Sequence, residues 1–320
     1  MAPEAEMPAM QVFMSDKTEH VQEKAQRETT AAEPAAASQP KPSGSRFPTF
    51  GDLLAMLGIA LVAQVLVGIV GRIVLAAVGY GGSGAAMTPD VTGKMMAALY
   101  FVSMAVTLGG VLYYRHLRGG RGRWARFSIR GLNPMLLLWA FVLIFAVGVV
   151  LEPLLRVLPD LSLDVGRGFW TMLSLVIFAP IFEELLCRGV VLGSLRDRYG
   201  ATVAWLVSAL FFGVLHVQPV QVVSATVVGL VLGYVYLATD SLWPSMILHA
   251  LNNAAAYLLM ILFVTPGDDA AGTMLIDLIQ NRTLYGVIYV VAVILSGVSG
   301  WMMVRTLRRM NPSQKNPVEA

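Results

Sequence analysis

Charge is what this chain has least of. Only 13% of its 320 residues are Asp, Glu, Lys or Arg, against roughly 25% in soluble domains. With 56% hydrophobic residues, no soluble packing could hide so much apolar surface, and a polytopic membrane protein is the first reading. Cysteine is nearly absent. Cys187 stands alone, which excludes an intrachain disulfide. It follows Glu184 by three residues in an apolar run, where a small packed side chain is its ordinary role. A nucleophile there would need more than Arg188 to stabilise its thiolate. Histidine occurs four times and no HExxH is present, so a zincin-type site is excluded. A large excess of one sign is also missing. Net charge is +3, and the basic residues lie between apolar runs, so topology explains them and no nucleic-acid partner is expected.

What the chain has is a series of apolar runs, at about 53–79, 95–114, 134–155, 169–187, 202–217, 219–238, 242–264 and 283–304. A helical span needs about 20 residues. The expected fold is all-α, with about eight transmembrane helices and a polar site inside the bundle. Residues 1–48, rich in Ala, Pro, Glu, Gln and Ser, read as a disordered polar tail. The run that follows is too long for the apolar core of a signal peptide. Residues 49–168 hold the first three helices and 169–257 the candidate catalytic core. Residues 258–320 hold the end of the seventh helix, a far-side loop, the last helix and a basic tail.

The basic residues set a direction. Seventeen lie on one side of this scheme, in the leading tail, the 115–130 loop, the turn with Arg196 and Arg198, and the trailing segment. Lys94, Arg156, Arg167 and Arg282 are the four on the other. The positive-inside rule then puts both termini in the cytoplasm, and a bacterial inner membrane is the expected location. Asp268, Asp269 and Asp277 make the far loop acidic. Arg72, late in the first run, is placed to snorkel to the surface. Gly229 and Gly233 form a GxxxG helix-packing pair.

Charged residues at membrane depth cost about 2.5–3.5 kcal/mol each on insertion scales, so those present point to pairing or chemistry. Glu183 and Glu184 adjoin in FAPIFEELLCRGVV. Glu184 and Arg188, four apart, share a helical face and can pair. Glu183 points about 100° away and is left without that partner. A buried carboxylate lacking a counter-charge suits a general base. In FFGVLHVQP, Phe212 and His216 are four apart; in HALNNAAAY, His249 and Asn253 are. Counting rises from the basic surface puts these groups near one depth. A Glu–His pair can hold and deprotonate a water, while His249 and Asn253 can donate to an oxyanion. Alternatively, Glu183, His216 and His249 could bind a divalent metal such as zinc that activates the water.

Three ordered motifs, Glu183-Glu184-x-x-x-Arg188, Phe212-x-x-x-His216 and His249-x-x-x-Asn253, resemble those of the CPBP family. These are the CAAX proteases and bacteriocin-processing enzymes, which include the type II CAAX prenyl endopeptidases. The resemblance covers roughly 169–257. It implies a multi-helix intramembrane endopeptidase in which Glu183 and His216 activate water and His249 and Asn253 form the oxyanion site. Glu184, Arg188 and Phe212 support them. The implied partners are membrane lipid and a peptide or lipidated-protein substrate. Two other classes stand beside it: a non-enzymatic scaffold or bacteriocin-immunity protein, and a proton-coupled transporter, which would need polar residues along both halves of a path. The first three helices offer few of these beyond Gln64, Ser103 and Thr107.

Overall fold

The structure, a computed structural model, describes residues 47–79, 88–120, 126–159, 167–263, 274–279 and 281–310. The tail through residue 46 and the loop with Asp268 and Asp269 lie outside the described residues. Each of the eight apolar runs is helical over most of its length. They are α1 (Phe50–Ala77), α2 (Pro89–Leu117), α3 (Pro134–Leu155), a long rod α4 (169–199), α5 (Ala201–Val214), α6 (Pro219–Thr239) and α7 (Leu242–Phe263). A single turn, α8 (Leu275–Leu278), precedes α9 (Arg282–Met310).

Helix starts follow local chemistry. Thr88–Pro89, Asn133–Pro134 and Gln218–Pro219 each pair a side chain that accepts from the first turn with a proline at the first helical position. Thr49 and Asp52 cap α1 reciprocally.

Among the described residues, six helices, α1, α2, α3, α6, α7 and α9, are long and apolar enough to cross a membrane, and the protein is an integral membrane protein. The other two apolar runs depart from a plain span. α5 has 14 residues, about 21 Å of rise, short of a bilayer core. α4 runs unbroken from 169 to 199 but widens into π-helix at Ser174–Phe178 and again at Leu185–Leu192. Pro180 accounts for the first widening. It has no N–H to give, and its ring would strike the carbonyl four residues back; a wider turn relieves both.

α1 pairs with α2, and α2 packs on the N-terminal half of α4. The C-terminal half of α4 lies against α5, which pairs with α6. α7 contacts α4, α6 and α3, and α9 lies along α3. Thus α4 to α7 form the middle of the bundle. α6 feeds two cores, one with Leu192, Phe212 and Leu237 and another with Leu136, Val231 and Leu232. The GxxxG pair acts as expected. A methyl at Gly229 would come 3.1 Å from the Ala209 Cα, and one at Gly233 would come 3.1 Å from Trp205. Both glycines therefore let α5 and α6 approach closely.

The basic helix ends gather at one end of the bundle. Asp52, buried at the start of α1, accepts from Tyr114 Oη at 2.7 Å and Arg118 Nε at 2.8 Å at the end of α2. Asp240 pairs with Arg126 at 2.9 Å and Arg196 at 3.6 Å. Residues 47 and 48, placed in the tail from the sequence, are packed against the bundle. Phe47 is buried, its ring edge-on to Tyr114, and the Pro48 carbonyl accepts from Arg198 and Tyr199. At the other end, Lys94 pairs with Asp90 at 2.8 Å and Arg156 with Asp277 at 3.4 Å. Arg72 is exposed, about 7 Å from the end of α1.

Candidate active site

α4 supplies both glutamates from the α-helical turns between its π-helical stretches. Glu184 and Arg188 pair as expected, Oε1 to Nη1 at 2.7 Å, with neither side chain exposed. Arg188 Nη2 also donates to the Gly229 carbonyl on α6 at 3.0 Å. The glycine that brings α6 close thus presents a backbone acceptor to a buried cation. Burying this pair is tolerable because each charge has its opposite at contact distance and further hydrogen bonds.

Glu184 Oε1 has a second partner, His249 Nδ1 at 3.2 Å. A carboxylate can only accept, so His249 carries its proton on Nδ1 there and turns Nε2 away. The His216 Nδ1 lies 2.9 Å from the Phe212 carbonyl, another pure acceptor, so His216 also presents Nε2. Both Nε2 atoms face Glu183 Oε2, at 3.9 Å from His216 and 3.8 Å from His249. That oxygen is buried with no hydrogen-bond partner. Phe212 holds the group together. Its ring is edge-on to His216 at 5.1 Å and to His249 at 5.4 Å, and the Arg188 guanidinium lies 4.7 Å from its centre. Each of the three motifs contributes to this contact set.

Two expectations need correction. His216 is not within a helix, since α5 ends at Val214. Glu183 is not without a partner: its Oε1 accepts from Tyr100 Oη on α2 at 3.0 Å. Nothing in the three motifs points to Tyr100. The available signal was its position, a tyrosine mid-span where such residues usually gather at the two interfaces. Cys187 is fully buried among Leu186, Val190 and Phe212, which suits packing and not nucleophilic attack. Asn253 gives one amide hydrogen to the Leu175 carbonyl at 2.9 Å, in the first π-helical stretch, and its Oδ1 accepts from Asn252. One N–H of Asn253 remains.

The donor types would suit zinc, but the spacing does not. The separations of 3.8 and 3.9 Å exceed the ~3.3 Å between neighbouring donors in a tetrahedron with 2.0–2.1 Å bonds. Among the described residues, no three His, Cys, Asp or Glu side chains are spaced to hold a metal ion.

The family described as "Type II CAAX prenyl endopeptidase Rce1-like" matches residues 166–255, the segment that carries all three motifs. Over this segment, somewhat more than a quarter of its length, the chain is similar to that family. A Bacillus subtilis (strain 168) protein, "Putative membrane peptidase YdiL", is 27% identical over 77 residues, covering 24% of this chain and 32% of that protein. The chain therefore spans about a third of the relative's length. No solved structure matches the chain.

Within the matched segment, the backbone beside His216 is strained. Val217 has φ +62° and the Gln218 N–H bonds the His216 carbonyl at 2.6 Å, which makes a γ-turn of the rare positive-φ kind. A β-branched residue there is a conformational outlier, at a cost of about 1–3 kcal/mol. The Val217 side chain is exposed and gains little from packing. Val217→Gly is expected to stabilise the protein by up to about 1 kcal/mol and to slow turnover several-fold, because His216 is held less firmly. Thermal unfolding and cleavage rate of the one variant check both; lower stability with full activity would refute the strained-turn account.

Proposed function

We propose that this protein is an intramembrane endopeptidase that hydrolyses a peptide bond of a membrane-associated peptide or lipidated protein, using a water activated by Glu183 and His216. The observation that carries the reading is the convergence of Glu183 Oε2, His216 Nε2 and His249 Nε2 at 3.8–3.9 Å. Those distances are too long for direct hydrogen bonds and somewhat short of the ~4.6 Å between two partners of one water, so a small outward turn of either ring admits a water among them. A water so placed gives a proton to Glu183 Oε2 while its oxygen attacks the carbonyl carbon. The new oxyanion takes one hydrogen bond from the remaining N–H of Asn253 and one from His249, which donates through Nε2 after taking up a second proton from solvent that the Glu184 carboxylate balances. As the C–N bond breaks, Glu183 returns its proton to the leaving amine. The reaction needs no metal in this scheme, consistent with the wide donor spacing. The basic end of the bundle faces the cytoplasm of a bacterial inner membrane, with both termini on that side.

The test compares membranes from cells carrying the parent or Glu183→Gln, by mass spectrometry of new protein N-termini. New termini near membrane-embedded segments should appear with the parent, disappear with the variant, and persist after chelation. Identical sets of termini would favour a non-enzymatic scaffold. Loss on chelation with recovery on zinc would replace the metal-free route.

A further inference from the structure

We propose that Tyr100 is a positioning residue of this hydrolytic centre, contributed by α2 from outside the segment shared with the CPBP family, a role that rests on Glu183 acting as the base. Its phenol donates to Glu183 Oε1 at 3.0 Å. The other oxygen, Oε2, is the one that faces both imidazoles. A carboxylate with one oxygen held cannot turn about its last bond, so a single oxygen is kept toward the water.

The packing around Tyr100 fixes that bond. Phe101, the next residue, is edge-on to Phe178 at 5.1 Å and to Phe182 at 5.2 Å. Phe182 directly precedes Glu183, so adjacent residues on α2 meet adjacent residues on α4. Farther along, Trp170 Nε1 donates to Asp90 at 3.2 Å and lies beside Lys94. These contacts set the register of α2 on α4. The Tyr100 carbonyl also accepts from Ser103 Oγ at 2.9 Å. A tyrosine at mid-span is costly to leave unpaired, because lipid offers no partner for its hydroxyl. Here the partner is the candidate base itself.

Tyr100→Phe keeps shape and apolar area and removes one hydrogen bond to a charged acceptor. Its kcat should fall about 10- to 100-fold, with KM within about twofold, because the substrate is not touched. The full chain is reconstituted in lipid bilayers, and the probe is a quenched synthetic peptide spanning a cleavage site found in the membrane comparison. The second readout is infrared. The parent-minus-Glu183→Gln difference spectrum isolates the Glu183 carboxylate stretch, which should move in Tyr100→Phe. 3-Fluorotyrosine at position 100 has nearly the same shape and a stronger donor; it should restore kcat and shift the band the other way. An unmoved band, or full kcat in Tyr100→Phe while Glu183→Gln is inactive, overturns the role of Tyr100 and leaves the base in place. An active Glu183→Gln overturns the base reading, whatever the band does.

Discussion

Glu183→Gln is expected to lower kcat by about a thousandfold or more while leaving the thermal unfolding of the protein within a degree or two of the parent. The two halves of that result come from the same geometry. The glutamine carbonyl can take the place of Oε1 and still accept from Tyr100. Its amide nitrogen then stands where Oε2 faces the two Nε2 atoms, and it is a donor meeting two lone pairs. The substitution therefore keeps the Tyr100 bond, buries no charge and sets no like-signed group against the resting imidazoles, so it should not cost stability. What it cannot do is accept a proton from water. Turnover is measured with a quenched peptide in bilayers, and stability by thermal unfolding of the same preparation. Parent-like turnover would remove Glu183 as the base. Inactivity accompanied by unfolding would make it a structural residue.

Much of this was legible in the sequence, for stated reasons. Helical spans in lipid must be long apolar runs, because unpaired backbone is too costly there, and each of the eight runs is helical over most of its length. The cap-and-proline pairs at Thr88, Asn133 and Gln218 mark three starts. The Glu184–Arg188 pair follows from a spacing of four. The rest depends on contacts that spacing does not encode. The helical period continues through a proline, so the π-helical stretch that presents the Leu175 carbonyl to Asn253 leaves no trace in the pattern. The apolar run through residue 217 hides the turn that carries His216, since Val217 is as hydrophobic as a helical residue would be. Tyr100 lies 83 residues from Glu183, and only the packing of α2 on α4 brings them together.

The second large effect is on stability. Glu184→Ala should cost about 3–5 kcal/mol, because it leaves Arg188 buried with no counter-charge, only a backbone carbonyl and the Phe212 ring, and removes the acceptor that fixes the His249 tautomer. Removing both charges tests whether the loss comes from the broken pair. In Glu184→Gln/Arg188→Met, the glutamine oxygen still accepts from His249 and the methionine fills much of the arginine's volume beside Phe212, so neither residue is a stranded ion. This double variant should recover most of the lost stability, as replacing a buried pair by neutral groups often does, and its departure from the sum of the Glu184→Gln and Arg188→Met single variants measures the coupling. Activity should recover less than stability, because a neutral carbonyl cannot balance His249 when its second nitrogen is protonated. Unfolding in lipid-like detergent supplies the stabilities. If Glu184→Ala is as stable as the parent, the pair is not what makes these charges tolerable inside the bundle. If the double variant is as unstable as Glu184→Ala, the loss lies in packing and not in a stranded ion.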